Sequence, residues 1–209
     1  MKFTSTAVWL RCVLFVLSVG LTTALRATTV IPPDFNELVN ESDYIIRGVV
    51  KSVLSEYRTN SHGKMIFTEV AIDVREVISG TPPTDVVLEI LGGRVGEEEM
   101  IVQGAPRFKV GEEDILFVKD NGRTIVPLMG MMHGRYPIME DLATGEKYVA
   151  RDNKEPLTDT SEIAQPMDGI STTGASIRAA KSARAAALTP AQFSERIKAT
   201  INPRYVRRP

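Results

Sequence analysis

Two long runs of alternating, β-branched residues dominate the chain: "YIIRGVVKSVLSEY" at 44–57 and "MIFTEVAIDVREVIS" at 65–79. In the second, Ile66, Thr68, Val70, Ile72 and Val74 fall on one side of a period of two, and Glu69, Asp73 and Arg75 fall on the other. That is how a strand with one buried face reads. "TNSHG" between the runs supplies turn residues, so the pair predicts a hairpin. "GTPPTD" then breaks the pattern, because its two prolines remove ladder donors. Further strands are predicted at 86–91 ("VVLEIL"), briefly at 100–104 ("MIVQG"), and at 114–120 ("DILFVKD"). Asn121-Gly122 predicts a tight primed turn joining the last of these to "RTIVPLM" at 123–129. "GRYPIME" and "KYVARD" make a final pair. Seven or eight strands with almost no helical period before residue 160 predict a mainly β fold, a small barrel or sandwich over residues 42–152.

The N-terminus reads differently. Lys2 and Arg11 precede the apolar run Cys12–Leu25, which is short for a bilayer span and is followed by Ala27 at a plausible cleavage position. The expectation is a signal peptide over residues 1–27 and an exported protein, periplasmic or secreted; an uncleaved N-terminal anchor is the alternative. Cys12 is the single cysteine. A mature chain beginning after Ala27 therefore has neither disulfides nor thiolate ligands, and must be held by a packed core.

Charge is unevenly spread. Residues 28–169 hold 14 basic against 25 acidic side chains, whereas residues 170–209 hold eight basic side chains and Glu195 alone. An acidic body and a basic tail are expected. Within the lead-in 28–41, "FNELVNESD" predicts a short helix with Asp34 as N-cap. Residues 153–175 read as a polar linker. The tail, 176–209, contains the Ala-rich "SIRAAKSARAAAL" and then "TPAQFSERIKATI". In the latter, Thr189, Pro190 and Gln192 form a capping-box pattern, and Phe193, Ile197 and Ile201 make one stripe suited to docking on an apolar surface. The tail would contact an anionic envelope surface, fold back on the acidic body, or remain solvated.

The candidate sites are few. "LGGRVGEEEM" (91–100) lacks the glycine spacing and the following helix of a phosphate loop, and reads as a bend between strands. Its Arg94 remains a binding candidate. Glu97, Glu98 and Glu99, with Glu112, Glu113 and Asp114, are acids of the kind calcium prefers, but adjacent acids on a strand point to alternate sides, so a solvated face is expected and no metal or cofactor. The two histidines, His62 and His133, are far apart and form no zinc motif, and no nucleophile elbow accompanies them. In "GMMHGRYPI" (130–138), Met131, Met132 and Tyr136 offer apolar contact and His133 and Arg135 polar handles, so Met132, His133, Arg135 and Tyr136 are the candidate binding residues. The other reading is a glycine-kinked strand with its methionines in the core.

"SDYIIRGVV", "TEVAIDVREVISG", "LGGRVG", "GAPRFKVGEEDILFV" and "HGRYPI" together resemble a largely uncharacterised β-domain family of exported bacterial proteins, some of which accompany matrixin-like metalloproteases. The likeness spans about residues 42–138 and centres on Phe108, Gly111, Glu112, Glu113, Ile115 and Phe117. More distantly, the strand order is similar to the netrin-like, OB-type modules of metalloprotease inhibitors, which implies a small barrel but transfers no inhibitory residue. The expected role is that of a non-enzymatic binding module whose partner is a protein or polysaccharide, with no nucleic acid and no cofactor. The alternatives are a hydrolase or protease-associated enzyme using His133, or a metalloprotease inhibitor or propeptide-like module.

Overall fold

The computed structural model describes residues 31–60, 63–167 and 177–202. The expected signal segment, His62, residues 168–175 of the expected linker and residues 203–209 lie outside them. The chain opens with helix α1 (Phe35–Glu41), whose Asp34 carboxylate accepts from the Glu37 N–H at 2.8 Å as an N-cap. Strands β1 (Tyr44–Asn60) and β2 (Gly63–Gly80) follow, then β3 (Val86–Leu91), β4 (Gly93–Val95), β5 (Glu98–Met100), β6 (Glu113–Val118), β7 (Arg135–Glu140) and β8 (Lys147–Val149). Helices α2 (Ile177–Ala186) and α3 (Pro190–Thr200) come last, and 3-10 turns occupy Met131–Gly134 and Thr160–Ala164.

The protein is mainly β, with an antiparallel six-stranded sheet in the order β3-β2-β1-β6-β7-β8 and a separate β4-β5 ribbon. The expected closed barrel does not form: β3 and β8 are the two ends of the sheet and do not pair with each other. The β1-β2 hairpin absorbs three register shifts, at Ile45/Ile46, Arg47/Gly48 and Val50/Ser52. Such irregularities bend and twist the ribbon, and each face is then covered by other segments instead of by the sheet itself.

One face packs under the helices. Ile45, Ile78, Ile115, Phe117, Tyr136 and Val149 meet Leu38 and Val39 of α1 and Phe193 and Ile197 of α3. On the other face Ile46, Val50, Val70, Leu88, Leu116 and Val118 meet Phe108, Val126 and Leu128 from loops. Strand β6 is therefore buried on both sides, which is why "ILFV" is a continuous apolar run and not an alternating one.

Three expectations are corrected. "MIVQG" is not a strand; pairing runs from Gly93–Val95 to Glu98–Met100, so "LGGRVGEEEM" is itself a small hairpin. "RTIVPLM" does not pair as a strand beyond one bridge between Val118 and Leu128. The Asn121 amide instead donates to the Val87 carbonyl at 2.7 Å and accepts from the Glu89 N–H, while the Ile125 carbonyl accepts from the Leu91 N–H. The segment thus caps the outer edge of β3. Leu157 and Ile163, within the expected linker, are fully buried in the helix-side core. Helix α3 docks there too, with the Phe193 ring 5.1 Å from Tyr136 and ion pairs from Lys198 to Glu76 and from Arg196 to Asp159.

Candidate functional site

The residues singled out in "GMMHGRYPI" do not make one exposed surface. Gly130 adopts a left-handed conformation that starts the 3-10 turn, and the turn delivers His133 into the interior before β7 begins. Met132 is half-buried, its N–H donating to the Gly104 carbonyl at 3.1 Å. Tyr136 is buried edge-on against Phe117 at 5.5 Å, and burial raises its pKa. His133 is 2% exposed, and its Nε2 has no hydrogen-bond partner. Burial, helped by the charge of Arg151, lowers its pKa to about 4. It is a neutral core imidazole with no carboxylate bonded to it among the described residues, so it meets neither the cleft geometry a catalytic base requires nor the open face of a binding surface.

Arg135 is the centre of a buried ion cluster. Its guanidinium bonds Asp114 through two contacts of 2.9 and 3.2 Å, Glu112 at 2.6 Å, Asp152 at 3.2 Å and the Arg107 carbonyl at 2.5 Å. Its charge also lies 4.3 Å from the centre of the Phe108 ring. Burial works against the charge, but Asp114, Asp152 and Glu112 together outweigh it and raise the Arg135 pKa further. Burial pushes Asp114 and Asp152 upward, whereas Glu112, although partly buried, is held below its usual value by Arg135. Glu113 turns to Arg47 and Lys147 at 2.7 and 2.8 Å. These acids are consumed by cations of the fold, an internal brace that ties the 107–112 loop to β6, β7 and Asp152.

Of the predicted binding residues, Arg94 reaches an open site. The β4-β5 hairpin stands over the sheet and, with residues 101–108, encloses a cleft of about 300 Å³. Apolar side chains of Val53, Val70, Ile90, Met100, Val102 and Phe108 form its walls. The floor is polar: Thr68 Oγ1 donates to the Gly92 carbonyl at 2.6 Å, so the 2.9 Å bond between the two hydroxyls has Ser55 Oγ as donor, and Ser55 Oγ in turn accepts from the Arg94 N–H. Gly93 makes this seating possible. A Cβ there would lie 2.1 Å from Thr68 Oγ1 at a φ of +134°, which a side chain does not tolerate.

At the rim, Glu99 is the cross-strand partner of Arg94 but pairs with Arg107 at 3.0 Å. The Arg94 guanidinium is exposed and bonds the Gly96 carbonyl at 3.2 Å. Sequence reasoning took the glycine and glutamate stretch as a bend, which it is, but missed that the bend walls a cleft. The available signal was Gly92-Gly93, two adjacent glycines where a turn needs one. Comparison with protein families, with curated proteins and with solved structures finds no match.

Proposed function

We propose that this is an exported, non-enzymatic binding module that receives an apolar portion of its ligand in the cleft between the β4-β5 hairpin and the sheet. The observation that carries the reading is the cleft itself: a mostly apolar concavity with a few convergent polar groups is the general form of a ligand site, and its volume of about 300 Å³ lies at the small end of such sites. Export rests on the N-terminal pattern. The absence of a catalytic role is supported by His133, the histidine a hydrolase would recruit, lying buried and away from the cleft lining. A polysaccharide partner is less well served than an apolar one, because Phe108, the single aromatic side chain in the lining, is 8% exposed and offers sugars little to stack on.

The test is retention of envelope or culture-extract components by the immobilised protein, compared with an Ile101→Asp variant. Ile101 lines the cleft and is 67% exposed, so the change leaves the core intact while placing a charge at the mouth. At least tenfold weaker retention by the variant is expected. Equal retention by both proteins removes the cleft from the function.

A further inference from the structure

The rim of the cleft is asymmetric in charge. Two guanidinium groups, Arg94 and Arg107, and one carboxylate, Glu99, line it. Glu99 is engaged by Arg107, which leaves Arg94 with a backbone carbonyl as its hydrogen-bond acceptor. Of the neighbouring acids, Glu98 forms a cross-strand pair with Val95 and interacts with the Tyr57 hydroxyl, and Glu97 lies exposed at the hairpin turn. Behind the rim the walls are apolar and mostly aliphatic, so a ligand seated there is asked for hydrocarbon inside and negative charge at the mouth.

We infer that the cleft binds an aliphatic chain ending in a carboxylate, with the chain against Val53, Val70, Ile90 and Val102 and the carboxylate on Arg94. The inference rests on the reading of the cleft as the ligand site and names the class of ligand it takes. Two features of the wall support it. The cleft floor offers hydroxyls already committed to each other and to Gly92, so little polar demand is left inside. A guanidinium, by contrast, presents a planar fork matched to a carboxylate.

Octanoate, octanol and octylammonium share a chain and differ in the head group, and their binding is read from backbone amide shifts of the protein below the aggregation limit of each probe. Octanoate is expected to shift Ser55, Thr68, Gly93 and Ala105 and to bind at least tenfold more tightly than octylammonium. Arg94→Glu, at an exposed position that leaves the fold intact, is expected to weaken octanoate at least tenfold, and Arg94→Lys, which keeps the charge but loses the planar fork, to weaken it by less. Equal binding of all three probes, or octanoate binding indifferent to Arg94→Glu, overturns the carboxylate assignment while leaving the cleft a ligand site. Shifts confined to residues outside the cleft, or none with any probe, overturn the inference altogether; the extract-retention comparison then decides the broader reading independently.

Discussion

A charge at a position only 2% exposed, as Arg135 is, survives because every side of the guanidinium meets an acceptor or a ring: Asp114 twice, Glu112, Asp152, the Arg107 carbonyl and Phe108. The arrangement is mutual, since Asp114 is itself fully buried. Arg135→Met therefore strands a buried carboxylate and is expected to cost about 3–5 kcal/mol of stability, measured by urea unfolding. A paired Asp114→Leu, Arg135→Met protein is expected to recover part of that loss, because removing both charges leaves nothing uncompensated. In the sequence, Arg135 looked like a binding handle because methionine, histidine and tyrosine surround it. The better sign lay elsewhere. Asp114 immediately precedes the apolar "ILFV", and an acid opening a strand buried on both faces requires an interior cation.

At the level of elements, local chemistry decided what could be read. Helix α3 was legible from Thr189, Pro190 and Gln192, and the structure shows both bonds of the capping box, Gln192 N–H to Thr189 Oγ1 at 3.2 Å and Thr189 N–H to Gln192 Oε1 at 2.9 Å. Thr189→Ala removes one of them and is expected to lower stability by about 1 kcal/mol, seen as a lower urea midpoint with an unchanged slope. The β1-β2 hairpin and β3 were legible from their period, and α1 from its cap. The 123–129 segment was not, because Asn121 directs its amide to the β3 backbone instead of to its own turn, a long-range preference that an Asn-Gly pair cannot announce. Likewise Leu157 and Ile163 are isolated apolar residues in a polar stretch, and only long-range packing with α1, β8 and α3 turns them into core.

For the molecule as a whole, two cores on opposite faces of an open sheet replace the closed barrel that strand count suggested. Strand count does not specify closure; that depends on whether the end strands meet, and here helices and loops cover the faces of an open sheet. Acid sensitivity is a property of the whole fold. His133 in the folded protein has its pKa lowered to about 4 from 6.5, so below pH 6.5 the unfolded chain takes up a proton that the folded one refuses. Its contribution is fully present above pH 6.5 and is lost as pH falls toward 4, by about 3 kcal/mol. Unfolding free energies compared with those of His133→Gln across that range are expected to show this excess loss in the parent protein and not in the variant.

Phe108 belongs at once to the wall of the cleft and to the group of atoms around Arg135. A molecule seated against that ring is expected to alter the surroundings of a charge whose carboxylate partners, Asp114, Glu112 and Asp152, stand outside the cleft. The resonances of Asp114 and Asp152 are then expected to report occupancy from positions that no bound molecule touches.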